Sequence, residues 1–327
     1  MGHCCHRYLL FSVIIMKKCE ESAPAKAILF GEHAVVYGHP AIAVPISHLR
    51  AYAVIQENNQ SSSVNILAED IGLEETLDKL PVHHPIRKTI DLFSSYTHRA
   101  VSPITIQIRS NIPIASGLGS GAAITIATLR ALSTYFLQPL TDLEISNLAF
   151  EVEKIHHSTP SGIDNTVIAF EKPTWFIKGE KIQPFDIHNR IELLIANSNL
   201  STPTAETVIY VREQIENFPI ETESILKNIG NLTWAAKNAI AQGNIKLVGD
   251  LMAQNHQLLK SLNVSCQKLD QMVETALSAG AFGAKLSGGG RGGNIIALIN
   301  TKSLNKVFNA LKAIGITDIF LTTIENK

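Results

Sequence analysis

Apolar and polar side chains alternate with period two over residues 104–109, Ile-Thr-Ile-Gln-Ile-Arg, which predicts a half-buried strand. Residues 122–136 are rich in alanine, leucine and isoleucine and lack glycine and proline, which predicts a helix. An apolar run at 23–31 predicts an earlier strand closed by Gly31, and 51–56 and 64–67 predict two more around a polar turn. A helix is expected over 86–96 behind Pro85. Another follows the capping box Thr141-Asp-Leu-Glu144, with Ile145, Leu148, Ala149, Val152 and Ile155 at helical spacing. Pro160 ends that helix, and residues 161–165 are expected as a loop.

Strand-like runs recur at 175–178 and 191–196, and near Pro184 the chain changes character. Helical stretches then fill 205–217, 221–242, 245–262 and 267–278; a strand is expected at 294–299, a helix at 303–314 and a last strand at 318–324. Interleaved elements in the first half and a helical block in the second favour an α+β class with two domains split near residue 185. The expected division is a flexible N-terminal extension at 1–21, a domain at 22–185 and a domain at 186–327.

Between the 104–109 strand and the 122–136 helix lies Asn111-Ile-Pro-Ile-Ala-Ser-Gly-Leu-Gly-Ser-Gly-Ala-Ala123. Glycines there let backbone N–H groups approach a ligand, and the new helix adds unpaired N–H groups and the positive end of its dipole, so the place favours an anion. A plain tight turn is the alternative reading. The Walker loop is excluded because no lysine follows the glycines, and the Gly-x-Gly-x-Gly spacing is not the dinucleotide fingerprint.

Composition narrows the field further. The 327 residues are 45% hydrophobic, enough for two sizeable cores. With 28 Lys+Arg against 29 Asp+Glu there is no global field for nucleic acid or an anionic membrane, so an anion site must be local. Cys4, Cys5, Cys19 and Cys266 have no disulfide-framework spacing and suit a reducing compartment. The apolar run at 8–15 is too short to span a bilayer, which favours an extension upstream of Met16 and a cytoplasmic protein. Adjacent histidines at 83–84 and 156–157 point apart on a regular element and do not make a metal site.

Three motifs stand in order: Ala23-Pro-Ala-Lys26 running into Gly31-Glu-His-Ala-Val-Val-Tyr-Gly38, then 113–123, then Lys285-Leu-Ser-Gly-Gly-Gly-Arg-Gly-Gly293. Together they resemble the GHMP kinases from about residue 22 to the C-terminus. The resemblance implies an N-terminal domain like ribosomal protein S5 domain 2 and a ferredoxin-like C-terminal domain with the active site between them. It implies ATP and Mg2+ as cofactors and a small-molecule alcohol as acceptor, mevalonate, converted to 5-phosphomevalonate. A phosphomevalonate-directed relative and a non-catalytic nucleotide-binding paralogue are the alternatives. No nucleic-acid or membrane partner is implied, and a homodimer is allowed.

Residue roles follow from matching positions. Asp164 corresponds to the catalytic aspartate and Lys26 to the lysine that pairs with it; Glu153 matches the magnesium-ligating glutamate, with Ser120 a second metal candidate. The phosphate loop comprises Pro113, Ala115, Ser116, Gly117, Leu118, Gly119, Ser120, Gly121 and Ala122. Glu32, His33, Val36 and Thr204 match the acceptor pocket. Without the resemblance, Glu153 would read as a solvated helix residue and Asp164 as a turn residue. Lys26 stands out independently, because a lysine in an apolar strand needs a partner or a route to water. Three departures from the family are evident: Ala115 stands where the family has a glycine, Gly121 replaces a serine that in the family helps hold Mg2+, and Arg291 interrupts the third glycine cluster, either as a surface charge or as a bidentate donor to the nucleotide phosphates or an acidic substrate.

Overall fold

The computed structural model describes residues 18–325 except 102, 114, 115, 156–159, 181, 186, 188 and 201. His3, Cys4, Cys5, His6, Met16, Ala115, His156 and His157 therefore lie outside the described residues.

All strands up to residue 184 form one seven-stranded sheet: β1 (Lys18–Phe30), β2 (Ala41–Glu57), β3 (Asn65–Ala68), β4 (Leu73–Thr76), β5 (Ile104–Ser110), β6 (Thr174–Phe176) and β7 (Gln183–Pro184). The order is β4-β3-β5-β2-β6-β7, with β1 also paired to β2. β1 begins at Lys18, so residues 18–21 belong to the sheet and not to the expected extension. They pair with the second half of β2, from Lys18 opposite Gln56 to Glu21 opposite Ala53. Against this sheet lie α1 (Pro85–Thr97), α2 (Ser120–Tyr135) and α3 (Asp142–Glu153), whose Phe93, Leu129 and Ile145 join Ile55, Ile66 and Ile106 in one core. The capping box at Thr141 forms as expected, with both reciprocal bonds to Glu144.

Residues 161–165 depart from expectation. α4 (Ile163–Phe170) starts inside the segment expected to be a loop, so Asp164 sits in a first helical turn, where a carboxylate suits the dipole.

The second half builds a four-stranded antiparallel sheet, β11-β8-β10-β9, from β8 (Ile191–Asn197), β9 (Gly283–Ser287), β10 (Asn294–Ile299) and β11 (Ile319–Ile324). Between β8 and β9 run α5 (Thr204–Asn217), α6 (Pro219–Ala241), α7 (Ile245–Ser261) and α8 (Gln267–Ser278), and α9 (Thr301–Ala313) joins β10 to β11. β8 is buried on both faces: Leu193 and Ile195 face the core shared with the first sheet, while Leu194 and Ala196 face Met272, Val307 and Leu311. The strands up to Pro184 and those from Ile191 thus form separate sheets, with apolar packing running between them.

Within this half His256 ties α7 to β9. The Leu286 N–H donates to its Nδ1 at 3.4 Å, so the proton of the neutral ring is on Nε2, 3.2 Å from Asp270 Oδ1. Burial, opposed by Asp270, holds its pKa at about 4, below the usual 6.5. Between those values the unfolded chain binds the extra proton. Stability is thus present above about 6.5 and lost as pH falls towards 4, by up to roughly 3–4 kcal/mol for this one group. The thermal midpoint, followed from pH 7 to 4, should drop more steeply in the native protein than in His256→Gln.

Candidate active site

Lys26 lies mid-strand in β1 with only 3% of its surface exposed, so its charge must be satisfied inside the protein. Its Nζ donates to Gly117 O at 3.1 Å and pairs with Asp164 Oδ1 at 2.9 Å. The Lys26 backbone N–H also donates to Leu118 O at 3.0 Å. One residue thus holds the glycine loop by main chain and side chain together, while Leu118 turns its own side chain into the core.

The loop delivers the chain into α2 with Gly119 as N-cap and no side chain capping the first turn. Those N–H groups and the helix dipole face a cavity lined by Ser116, Gly117, Gly119, Ser120, Gly121 and Ala122, an arrangement suited to phosphate. Ser116 Oγ donates to Pro113 O at 2.7 Å, which folds the start of the loop on itself.

Two short helices bring the carboxylates to that cavity. Glu153 is the last residue of α3, and Asp164 is in the first turn of α4. Asn165 locks these helices together, its Nδ2 donating to both the carbonyl and the hydroxyl of Ser146 at 2.9 Å. At the far end of α4, Glu171 accepts two bonds from Arg50, at 2.9 and 3.1 Å, and one from Arg130 at 2.6 Å. Arg130 also donates to Ala169 O, so a cation satisfies the helix C-terminus. Burial first, and then the neighbouring Asp164, push the Glu153 carboxyl up to about 8, partly opposed by Lys26. A group in that state gains from a nearby cation.

A second cavity lies on the other side of the same carboxylates. Ile28, Val35, Val36, Ile163 and Val208 give it an apolar wall, and Glu32 and His33 stand at its corner. Gly117, Glu153, Asp164 and Thr204 line both cavities, so the proposed catalytic aspartate is on the wall where they meet. Thr204 opens α5 and packs against Gly289, where an added Cβ would be 3.2 Å from its methyl.

The corner is held from the C-terminal half. His33 Nε2 lies 2.9 Å from Gly289 O, which accepts, so this nitrogen carries the ring proton. Burial, aided by the charges of Arg291 and Lys285, lowers the His33 pKa to about 4 and keeps the ring neutral. Glu32 pairs with Lys285 entirely inside the protein. Ser287 Oγ donates to Ile28 O at 3.0 Å and accepts from Ile28 N at 3.2 Å, and Asn294 Nδ2 donates to Ser116 O. Lys285, Ser287, Asn294 and Asn165 received no role from the sequence. Of these, Lys285 carried a readable signal, a charge within an apolar run.

Arg291 reaches neither cavity lining. Its guanidinium lies 3.7 Å from the centre of the Tyr210 ring, and its Nε donates to Asn263 O at 3.2 Å. In this arrangement the side chain fastens the third glycine cluster to α5 by a cation–π contact. Among the described residues no cluster of three His, Cys, Asp or Glu side chains forms a ready-made metal cage, and no helix is long and apolar enough to cross a membrane.

Comparison with known proteins accounts for this arrangement. The GHMP kinases N terminal domain model matches residues 84–172, and the GHMP kinases C terminal model matches 236–317. The mevalonate kinase of Pyrococcus abyssi is 37% identical over 315 residues, which cover 90% of this chain and 92% of that protein. The structure of mevalonate kinase from Methanococcus jannaschii superposes with a TM-score of 0.81 at 30% identity, covering 94% of this chain and 98% of that one. The mevalonate kinase of L. major in complex with R-mevalonate gives 0.82 at 27% identity, covering 95% and 98%. The chain belongs to the GHMP kinases.

Proposed function

We propose that this GHMP kinase transfers the terminal phosphoryl group of ATP to the primary hydroxyl of mevalonate. The observation that carries the reading is the shared wall of the two cavities, one suited to phosphates and one part apolar and part polar, with Asp164 and Glu153 between them. Relatives named mevalonate kinase, 34–37% identical over most of their length, support the acceptor.

In the proposed reaction the hydroxyl oxygen bonds to the terminal phosphorus as the bond to ADP breaks, and the hydroxyl proton passes to an Asp164 carboxylate oxygen. Such transfer depends chiefly on position and charge stabilisation. Lys26 orients Asp164 and counters charge at the phosphoryl group, while the loop from Pro113 to Ala122 and the start of α2 hold the phosphates. Val36 and its neighbours take the carbon chain, and the neutral His33, with Glu32 and Thr204, defines the polar end.

The donor set fits Mg2+, which needs only one or two protein oxygens beside water and phosphate. Glu153, whose buried carboxyl favours a cation, and the Ser120 hydroxyl would hold it on the phosphate side. When bound it would neutralise charge between the phosphates. Glu153→Gln is expected to lower kcat by about tenfold or more and to raise the Mg2+ needed for half-maximal activity. It should also weaken the Mg2+-dependent part of the thermal shift given by a non-hydrolysable ATP analogue. An unchanged Mg2+ dependence in both measurements would reject the assignment.

A phosphorylated acceptor is less well matched. Among the described residues lining the acceptor cavity Lys26 is the only lysine or arginine, and Asp164 already engages it. ADP release should therefore be seen with mevalonate and not with phosphomevalonate, homoserine or galactose. Turnover of phosphomevalonate would overturn the reading, and turnover of none would favour a nucleotide-binding paralogue. Free Cys19 and Cys266 and the lack of a spanning helix among the described residues are compatible with the cytoplasm, where we place the enzyme.

A further inference from the structure

Lys285 and Glu32 are 253 positions apart and meet with both side chains fully enclosed. A lone buried ion pair is weak evidence for stability, since desolvation offsets much of the attraction. Its placement gives it another meaning. Glu32 begins the corner that lines the acceptor cavity, and its second oxygen, Oε2, is buried without a partner. Lys285 stands behind that corner, outside the cavity lining, and its Nζ also donates to Leu286 O at 2.8 Å. The same strand and the loop after it hold Ile28 through Ser287 and His33 through Gly289. The C-terminal half thus grips three successive points of the cavity wall, and only at Lys285 does the grip carry charge.

We propose that Lys285 is a positioning residue for the acceptor: by neutralising Glu32 from behind, it fixes the Glu32–His33 corner and leaves it without net charge, so that an anionic acceptor can enter. This rests on the reading that the acceptor occupies that cavity. The charges acting on the corner are Lys285 from β9, Lys26 from β1 and Arg291 from the third glycine cluster; His33 itself is neutral. Without Lys285, a carboxylate would remain buried against an incoming carboxylate with only the more distant cations to oppose it. Burial already raises the tendency of Glu32 to hold a proton. The variant chain should then take up that proton as pH falls, which restores neutrality.

The test compares native protein, Lys285→Met and Glu32→Gln/Lys285→Met in two measurements. The first is the thermal midpoint from pH 5.5 to 8, which needs no substrate. A carboxyl whose folded pKa lies above its unfolded value stabilises below the unfolded pKa and loses that contribution as pH rises through the folded one. Lys285→Met should therefore fall further below native protein as pH rises, and the double variant should run parallel to native protein. The second is steady-state kinetics on whichever acceptor the native protein turns over. For Lys285→Met, the acceptor KM should rise about tenfold at pH 8 and recover towards pH 6, with kcat and the ATP KM changed less than about threefold. A pH-independent loss shared by kcat and both KM values would reduce Lys285 to a structural strut and overturn the proposal. A midpoint profile parallel to that of native protein would overturn it too. Failure of the native protein to use mevalonate would reject the proposed substrate, while the midpoint measurement would still decide the charge pairing.

Discussion

Replacing Asp164 by asparagine is expected to lower kcat by about 10²–10⁴-fold while both KM values change by less than about threefold. The substitution keeps shape and removes only the charge and the capacity to take a proton. The surrounding frame does not depend on that charge. α4 is tied to α3 by Asn165 and Ser146, and its far end is held by Arg50, Arg130 and Glu171. The substituted side chain should therefore stay on the wall between the cavities. Asp164 is 30% exposed but the Lys26 side chain only 4%, so the substitution leaves a buried ammonium with the Gly117 carbonyl and the amide as its partners, and the thermal midpoint should fall. Lys26→Met should give a comparable loss of kcat, and the double variant should be scarcely worse than either single one, as for groups that act as a unit. A kcat within about threefold of native for Asp164→Asn would remove the aspartate from the chemistry.

Much of this site was legible because its residues break local rules. Lys26 is a charge in an apolar strand, and the glycines after β5 interrupt two regular elements; in the fold the first pairs with Asp164 and the second lead into α2. The start of α4 was missed because Ser161, Gly162, Asp164 and Asn165 are all good turn formers, and the sequence there gives no weight to the packing of a helix only eight residues long. β9 was missed because its five residues are buried on both faces and lie between glycines, which removes the alternation that identifies a strand. Lys285 obeys the rule that singled out Lys26, but its partner is 253 positions away, and no local pattern points to it. Arg291 could be recognised as unusual, though not as a fastener, because Tyr210 reaches it only through the packing of α5.

Gly119→Ala is expected to damage both stability and nucleotide binding, whereas Gly121→Ser, two positions on, should be tolerated. Gly119 has φ +76°, where a side chain costs about 1–2 kcal/mol. A Cβ there would lie 2.8 Å from Ile168 Cδ1 and 3.1 Å from Lys26 Cγ. Relieving such overlap typically costs a further 1–3 kcal/mol, so a total loss of about 2–5 kcal/mol is expected. The yielding atoms matter more than the sum. Ile168 belongs to the helix that carries Asp164, and Lys26 is the partner of Asp164, so the strain is transmitted to both proposed catalytic side chains and to the Gly117 carbonyl that Lys26 holds. At Gly121 an added Cβ meets nothing within 4 Å, and the residue is already helical, so serine there should be neutral or slightly stabilising through reduced chain entropy. Its hydroxyl would face the phosphate cavity that Gly121 lines. Thermal midpoints and ATP KM values for the two variants separate the cases. Equal damage from both would mean that the loop tolerates no added atom, and a harmless Gly119→Ala would mean that Lys26 and Ile168 can move without disturbing Asp164.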